Sequence, residues 1–425
     1  MDDSNLQKTG RRDILRLMKV FYSIGVWTYT ILVHVFALWN VKARKWVRGR
    51  HESWKKVETF CRDKRDRTVP LYWFHCASLG EFEQARPVIE AMKYEAKCQI
   101  AISFFSPSGY EIRKNYELAD LIFYLPTDSV KNAKRLLVML HPSRIFFVKY
   151  EFWAHYILTA SRHKVPFYSI CAVFRNNQIF FKWYGSFMRK VLKAVTAIFV
   201  QDEASKELLE KIGIQSHLSG DTRYDRVMKN SRAAKRFVLI DRFTEGHRVF
   251  VCGSLWNPDL NAISIGLNKL GKGWKIILTT HEIHEQELRM AESFFKHKKL
   301  VRYSDLTEKN LDAEVLLIDN IGMLMHVYGY ADLAYVGGAF KTGLHNILEP
   351  ASFGLPVIFG PHHAKFPEAG LFIQNGIGFS VADSTEFENT LQHLIKTDLR
   401  DHVTTFMQSQ TGATAKILHQ VSFGG

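Results

Sequence analysis

The sequence predicts an α/β fold made of two doubly wound parallel-sheet domains in series, preceded by one apolar helix. Two observations carry this. After a charged stretch ending near Arg67, short apolar runs alternate with amphipathic stretches of helical length, the pattern of successive βα units around a parallel sheet. The series then breaks at a polar segment, GDTRYDRVMKNSRAAKR (220–236), and restarts beyond it. A length of 425 residues accommodates a full core in each of two domains, and 47% hydrophobic against 23% charged residues excludes disorder.

The first element is the run VFYSIGVWTYTILVHVFALW (20–39), twenty residues without a formal charge and about as long as a bilayer-crossing helix requires. Trp27, Tyr29 and Trp39 suit a lipid interface. Arg11, Arg12, Arg16 and Lys19 precede the run, and Lys42, Arg44, Lys45, Arg48 and Arg50 follow it. Basic flanks on both sides leave two arrangements open, a span or a helix lying in the interface. Residues 1–67 hold 16 basic and 7 acidic side chains, so net +9 of the chain's +15 sits in this region. That placement, beside an apolar helix and without a helix-turn-helix, RNP-like or zinc-finger signature, points to an anionic lipid surface and away from nucleic acid.

The first half then supplies apolar runs at 71–78, 98–103, 121–126, 145–150, 166–171 and 197–200. The second half supplies runs at 248–254, 274–280, 315–319, 333–338, 356–360 and 378–381. The implied division is a membrane-associated segment at 1–50, an N-terminal Rossmann-like domain at 51–222 and a C-terminal one at 223–425. Two such domains facing each other make a cleft lined by the carboxyl ends of both sheets, where ligands of wound α/β folds bind. The five cysteines show neither C-x-x-C spacing nor an even count, which speaks against a disulfide framework or a zinc knuckle.

Three stretches carry candidate chemistry. In HCASLGEF (75–82) a strand ends, Gly80 permits a tight turn and Glu81 opens a helix at the strand's carboxyl end; a helix-start acid that merely favours the macrodipole has the same pattern. Glu151, in KYEFW, also lies just past a strand, so the two acids suit a general base and a partner that positions it. The richest stretch is YVGGAFKTGLHNILEPA (335–351), followed by GLPVIFGPH (354–362). There a strand ends at Gly337-Gly338, Gly343 lets backbone approach a ligand, and a helix expected near Asn346 offers free N–H groups to a phosphate. Glu349, one turn on, is placed for ribose hydroxyls, with His345 beside it. Gly253-Ser254, after RVFVCGS, is a further phosphate contact. His281 and His284, in TTHEIHE, are three apart, not the four that H-E-x-x-H requires, so His281 is read as a nucleotide-facing residue and no metal site is expected.

Taken together these elements resemble the 3-deoxy-D-manno-octulosonic acid (Kdo) transferases, inverting glycosyltransferases of the two-Rossmann-domain GT-B fold in lipopolysaccharide assembly. The resemblance runs from Asn40–Arg50 through S-x-G-E at Ser78–Glu81, E-x-W at Glu151–Trp153 and G-S at Gly253-Ser254. It ends with G-x-H-N-x-L-E-P-A at Gly343–Ala351 and G-x-P-V-x-F-G-P-H at Gly354–His362.

That resemblance implies that Glu81 is the base which deprotonates the acceptor. Glu349 holds the ribose of CMP, Gly338, His345 and Asn346 surround the phosphate, and Gly322-Met323 line the cytidine pocket. It implies CMP-Kdo as donor, a lipid A precursor (lipid IVA) as acceptor, no cofactor or metal, and action at the cytoplasmic face of the bacterial inner membrane. The chain departs from the family where P-R-H-P is replaced by Thr280–His284, which removes an arginine near the phosphate, and where N-A-R-x-S is replaced by Cys171–Arg175. The residues themselves leave two alternatives: a GT-B transferase or epimerase using a UDP-sugar, and a non-catalytic membrane-bound protein that holds anionic lipid.

Overall fold

The computed structural model describes residues 3–341 and 343–423, with side chains from 15 to 421. The side chains of Arg11 and Arg12 lie outside the described residues. The chain divides into two compact units, one comprising Met1–Arg223 with Gly412–Gly425, the other Tyr224–Thr411.

Unit 1 is built on seven parallel strands, β1 (Leu71–Cys76), β2 (Gln99–Phe104), β3 (Leu121–Tyr124), β4 (Arg144–Val148), β5 (Phe167–Ala172), β6 (Ala197–Val200) and β7 (His217–Leu218). They lie in the order β3-β2-β1-β4-β5-β6-β7. Unit 2 repeats the scheme with β8 (Arg248–Leu255), β9 (Trp274–Thr280), β10 (Leu300–Arg302), β11 (Val315–Ile318), β12 (Leu333–Val336), β13 (Val357–Phe359) and β14 (Gly378–Ser380). Its order is β10-β11-β9-β8-β12-β13-β14. Helices cover both faces of a wound sheet, so the central strands are buried throughout and read as mainly apolar runs without polar alternation, β1 as LYWFHC and β2 as QIAISF. Strand order reverses between β1 and β4 in one sheet and between β8 and β12 in the other. At such a reversal adjacent crossovers leave to opposite faces and open a crevice at the carboxyl ends.

All twelve expected strands are present. Strands β7 and β10 were not expected from the sequence: they are two and three residues long at their sheet edges, with β7 exposed and β10 following the charged run KHKK.

Helix α1 (Asp3–Phe36) and helix α2 (Val41–Asp63) meet at Asn40, whose side chain accepts from the backbone N–H of Lys42 (2.9 Å) and Ala43 (3.1 Å) and so caps α2. Trp46, Arg50, Ser53, Val57 and Phe60 recur at alternating steps of four and three, a single helical stripe, and all five are buried. Ser53 Oγ accepts from Tyr124 N at 2.9 Å, tying the helix to β3. Burial of Trp46, Val57 and Phe60 stabilises this docking by about 1.5–3 kcal/mol per side chain. The expected break at residue 50 is therefore corrected: it falls inside a helix that belongs to the core of unit 1. The C-terminal limit is corrected too. Helix 413–423 packs on the helix Leu79–Glu95 (α3) of unit 1, with Ile417 and Val421 in the same cluster as Phe82, Val88 and Ile89.

One side of α1 is held by unit 1. Tyr22 Oη donates to Asp128 Oδ2 (2.6 Å), Ser23 Oγ pairs with His155 Nε2 (3.0 Å), and the Tyr22 ring packs on Phe187. The other side leaves Phe21, Ile24, Trp27 and Leu32 at least half exposed. Residues 15–36 are long and apolar enough to cross a membrane by length and composition.

Gly49 is where α2 comes closest to the sheet, since a Cβ there would run into the Tyr124 ring. Gly49→Ala is expected to cost about 1–3 kcal/mol. Thermal unfolding followed by circular dichroism should show a lowered midpoint, and an unchanged one would mean that the α2–β3 contact yields without cost.

Candidate functional site

In unit 1 the reversal of strand order sets two acids side by side. Glu81 lies in the first turn of α3, directly after β1, and Glu151 lies three residues past β4, the neighbouring strand. The Glu81 carboxylate accepts from the Ala77 backbone N–H, which folds it back over the start of its own helix and leaves it 8% exposed. Burial first, and the negative charge of Glu151 second, push its pKa up to about 8, against the lowering effect of the Ala77 N–H and Lys149. A carboxyl in this state exchanges its proton near neutral pH, as a general base must. Glu151 is fixed from two sides, by Trp153 Nε1 (2.5 Å) and by His75 Nε2 (3.2 Å), whose other ring nitrogen faces Ser103. Lys149, between strand and acid, holds a left-handed φ of 61°, an unfavourable conformation for a residue with a Cβ. Gly80 differs from expectation: it is helical, and a Cβ there would meet nothing nearer than Ser78 Oγ at 4.0 Å, so no tight turn depends on it.

In unit 2 the corresponding edge gathers most of the expected residues. Gly338, just past β12, has φ 98°, and a Cβ would strike the Gly343 carbonyl and the His345 ring. From there the loop closes on its own root, with Gly343 N donating to Gly338 O (3.1 Å) and His345 N to Gly337 O (3.2 Å). His345 thereby stacks on His281 at 4.3 Å, and His281 packs on Trp256 at 4.5 Å, so side chains following β8, β9 and β12 form one column. Trp256 Nε1 donates to His345 Nε2 (3.3 Å); in the neutral ring this places the proton on Nδ1. Burial, then the nearby His281, push the His345 pKa down to about 4 and keep the ring neutral. Lys341 Nζ sits 4.0 Å over the Trp256 ring and brings a cation to the column.

Other expected residues fall differently. Gly253 is buried because a Cβ would collide with the Tyr328 hydroxyl, while its neighbour Ser254 is half-buried at a left-handed φ of 56°. The helix near Asn346 is a single turn, Leu348–Ala351, and Asn346 Oδ1 already accepts from Leu348 N (3.2 Å). This corrects the open helix N-terminus expected for a phosphate. Asn346 Nδ2 also donates to Glu349 Oε1 (3.0 Å), and burial raises the Glu349 pKa although Asn346 and Arg226 oppose it. Met323 is corrected as well: it is buried in the core cluster, whereas Ile321 and Gly322 stay exposed after β11. His281 and His284 do not form a metal cluster; among the described residues no three His, Cys, Asp or Glu side chains gather for one.

Three members of the site were missed in the sequence: Trp256, Lys341 and Asp259. Asp259 is fully buried and accepts from Gly338 N (3.0 Å), Trp256 N (2.9 Å) and Tyr335 Oη (2.8 Å), which pins the glycine loop to the helix Asn257–Asn268. An acid right after Asn-Pro at a helix start, following a strand, was the available signal.

Two wound sheets in sequence, each with polar side chains collected at its switch point, define the GT-B class. The fold is shared with the UDP-GlcNAc 2-epimerase of Neisseria meningitidis, solved with UDP-GlcNAc, at a TM-score of 0.55 and 15% identity over 83% of this chain and 99% of that one. A family profile described as 3-deoxy-D-manno-octulosonic-acid transferase (kdotransferase) matches residues 51–226. The chain is 27% identical to the 3-deoxy-D-manno-octulosonic acid transferase of Aquifex aeolicus (strain VF5) over 76% of its length and 85% of that protein. It is 25% identical to the same enzyme of Chlamydia pneumoniae over 90% of both chains. The chain is a glycosyltransferase, related over most of its length to the Kdo transferases. That kinship sets aside the non-catalytic lipid-binding alternative.

The raised Glu81 pKa also ties stability to pH. Folding strengthens the carboxyl's hold on its proton, so this group favours the folded state at low pH, and the contribution is lost as pH rises from the ordinary carboxylate range through about 8. Glu81→Gln, which cannot ionise, is expected to melt at a higher temperature than the native chain at pH 9 and to converge with it at pH 5. Melting curves across that range check the sign; a native chain more stable than the variant at pH 9 would contradict it.

Proposed function

We propose that the chain transfers Kdo from CMP-Kdo to a lipid A precursor, lipid IVA, in lipopolysaccharide core assembly. The observation that carries this reading is the buried Glu81, proton-exchanging near neutral pH and paired with Glu151, on the unit that matches the Kdo transferase profile. Ionised Glu81 takes the proton of an acceptor hydroxyl as its oxygen attacks the anomeric carbon of Kdo. The bond from that carbon to the CMP phosphate oxygen breaks on the opposite side, CMP departs with the electron pair, and the configuration inverts in one displacement. Glu151 keeps the Glu81 proton affinity high and orients it.

Unit 2 is assigned the donor. The neutral His345 offers Nδ1–H, and Lys341 on Trp256 supplies a positive charge where the family's arginine is missing. Ser254, Gly322, Gly338, Gly343 and Asn346 line the same carboxyl edge, and Glu349 is available to ribose hydroxyls. A monophosphate met by these groups calls for no metal ion in this reading.

Helix α1 is assigned to the cytoplasmic face of the inner membrane as an interfacial helix. Tyr22 and Ser23, within the apolar stretch, are bonded to unit 1, and Tyr29 further along it packs on Phe105, which favours a helix lying along the body over one crossing the bilayer. Arg16, Lys19 and the basic start of α2 would add about 1 kcal/mol per charge at an anionic surface.

The test is transfer of Kdo from freshly generated CMP-Kdo to tetra-acylated lipid A precursor in detergent micelles. The native chain is expected to transfer, with a rate that rises with pH toward about 8. Glu81→Gln should lose roughly 10²–10⁴ of that rate while its CMP affinity is kept. Preference for UDP over CMP in competition would overturn the donor assignment, and CMP binding without transfer would overturn the acceptor.

A further inference from the structure

The apolar helix and the acid pair are joined by side chains that the transfer chemistry leaves unused. Tyr29, on the side of α1 that meets the body, packs over the Phe105 ring at 6.3 Å, with the rings near parallel. Phe105 follows β2, and its N–H donates to Cys76 O at the end of β1 (3.3 Å). It stacks in turn on Trp153 at 5.3 Å, and Trp153 Nε1 donates to Glu151 Oε2. Arg50 of α2 clamps the middle of this row. Its guanidinium donates to Phe105 O (3.0 Å) and lies 3.5 Å over the Trp46 ring, and the side chain is only 8% exposed. Aromatic faces in contact move together, since each ring's position is set by the next and off-rotamer shifts are costly. The row therefore runs without a gap from α1 to a carboxylate beside Glu81.

We propose that Trp153 is a positioning residue that couples helix α1 to the acid pair, so that the seat of α1 on unit 1 is read at Glu151 and through it at Glu81. The inference deepens the assignment of Glu81 as base and rests on it for its catalytic consequence. Its structural content stands apart: it predicts a change in Glu81 that needs no substrate. The groups that act on Glu81 are Cys76 at the end of β1, the Ala77 and Ser78 backbone N–H groups, and Lys149 and Glu151 from the loop after β4, while His75 pairs with Glu151. Of these only Glu151 is held by the row. Loss of the indole N–H frees the Glu151 carboxylate to swing away from its like-charged neighbour, which weakens its repulsion of the Glu81 charge and so lowers the pH at which Glu81 ionises.

The experiment labels the full chain in micelles with a water-soluble carbodiimide and an amine across pH 5–9, and follows Glu81 by peptide mass spectrometry. Trp153→Phe keeps a ring on Phe105 and loses the N–H; the Glu81 midpoint should fall by about half a unit or more. Tyr29→Leu removes the contact at the α1 end and should shift the midpoint the same way, whereas Tyr29→Phe keeps the ring and the native midpoint. In the transfer assay both shifting variants should lower kcat about tenfold with little change in the KM for donor. Unmoved midpoints in Trp153→Phe and Tyr29→Leu overturn the proposal, as does a Tyr29→Phe midpoint that shifts as far as that of Tyr29→Leu. If the native chain fails to transfer Kdo while the midpoints move as expected, the substrate assignment falls and the coupling stands.

Discussion

Parallel strands cannot be joined by tight hairpins; each connection must cross back over one face of the sheet, and where strand order reverses, neighbouring crossovers part to opposite faces. In unit 1 the reversal is between β1 and β4, in unit 2 between β8 and β12. Glu81 and Glu151 follow one such pair of strands, and Ser254, Trp256, Gly338 and His345 follow the other. Residues distant in the chain are neighbours here because the topology leaves the carboxyl ends of those strands as the place where loops meet without helix cover. The left-handed φ values at Lys149 and Ser254 fall at the same edges, as expected where backbone is bent to aim side chains and not to continue a sheet.

The two sites use burial in opposite ways. In unit 1 it acts on paired acids, which cannot both ionise cheaply in a poorly solvated pocket, so one proton is retained near neutral pH. In unit 2 it keeps His345 neutral, and the indole of Trp256 fixes which ring nitrogen carries the proton. Beneath both lie groups whose task is to hold others. Asp259 receives three donors and ties the glycine loop to a helix start; Trp153 and His75 do the same for Glu151.

How much of this was legible in the sequence depended on whether a feature is local. Strands such as LYWFHC and WKIILTT announce themselves because burial on both faces demands a mainly apolar run without polar alternation, and the glycine loop is visible because positive φ at Gly338 selects its residue. Two-residue β7 and three-residue β10 carry too little apolar pattern to register. The anion-binding helix start expected at Asn346 dissolved because Asn346 caps its own short turn, a choice made by one side-chain rotamer. Met323 was misplaced for a related reason: its neighbours decide whether a loop residue faces out or in, and here Val327 and the core claim it. Trp256 and Lys341 escaped notice because their role comes from a ring stack assembled from three strands.

The return of the last helix to unit 1 bears on how the chain is made. Unit 2 is continuous in sequence, so it can close as soon as it leaves the ribosome, whereas unit 1 is begun before unit 2 and completed after it. Until residues 413–423 emerge, the apolar side of α3 that will meet Ile417 and Val421 has no cover, and α3 is the helix that carries Glu81. A nascent or prematurely ended chain would thus present a complete unit 2 beside an open apolar seam, the kind of surface that chaperones and proteases recognise. The helix that carries Glu81 gains that cover only after the whole of unit 2 has been translated.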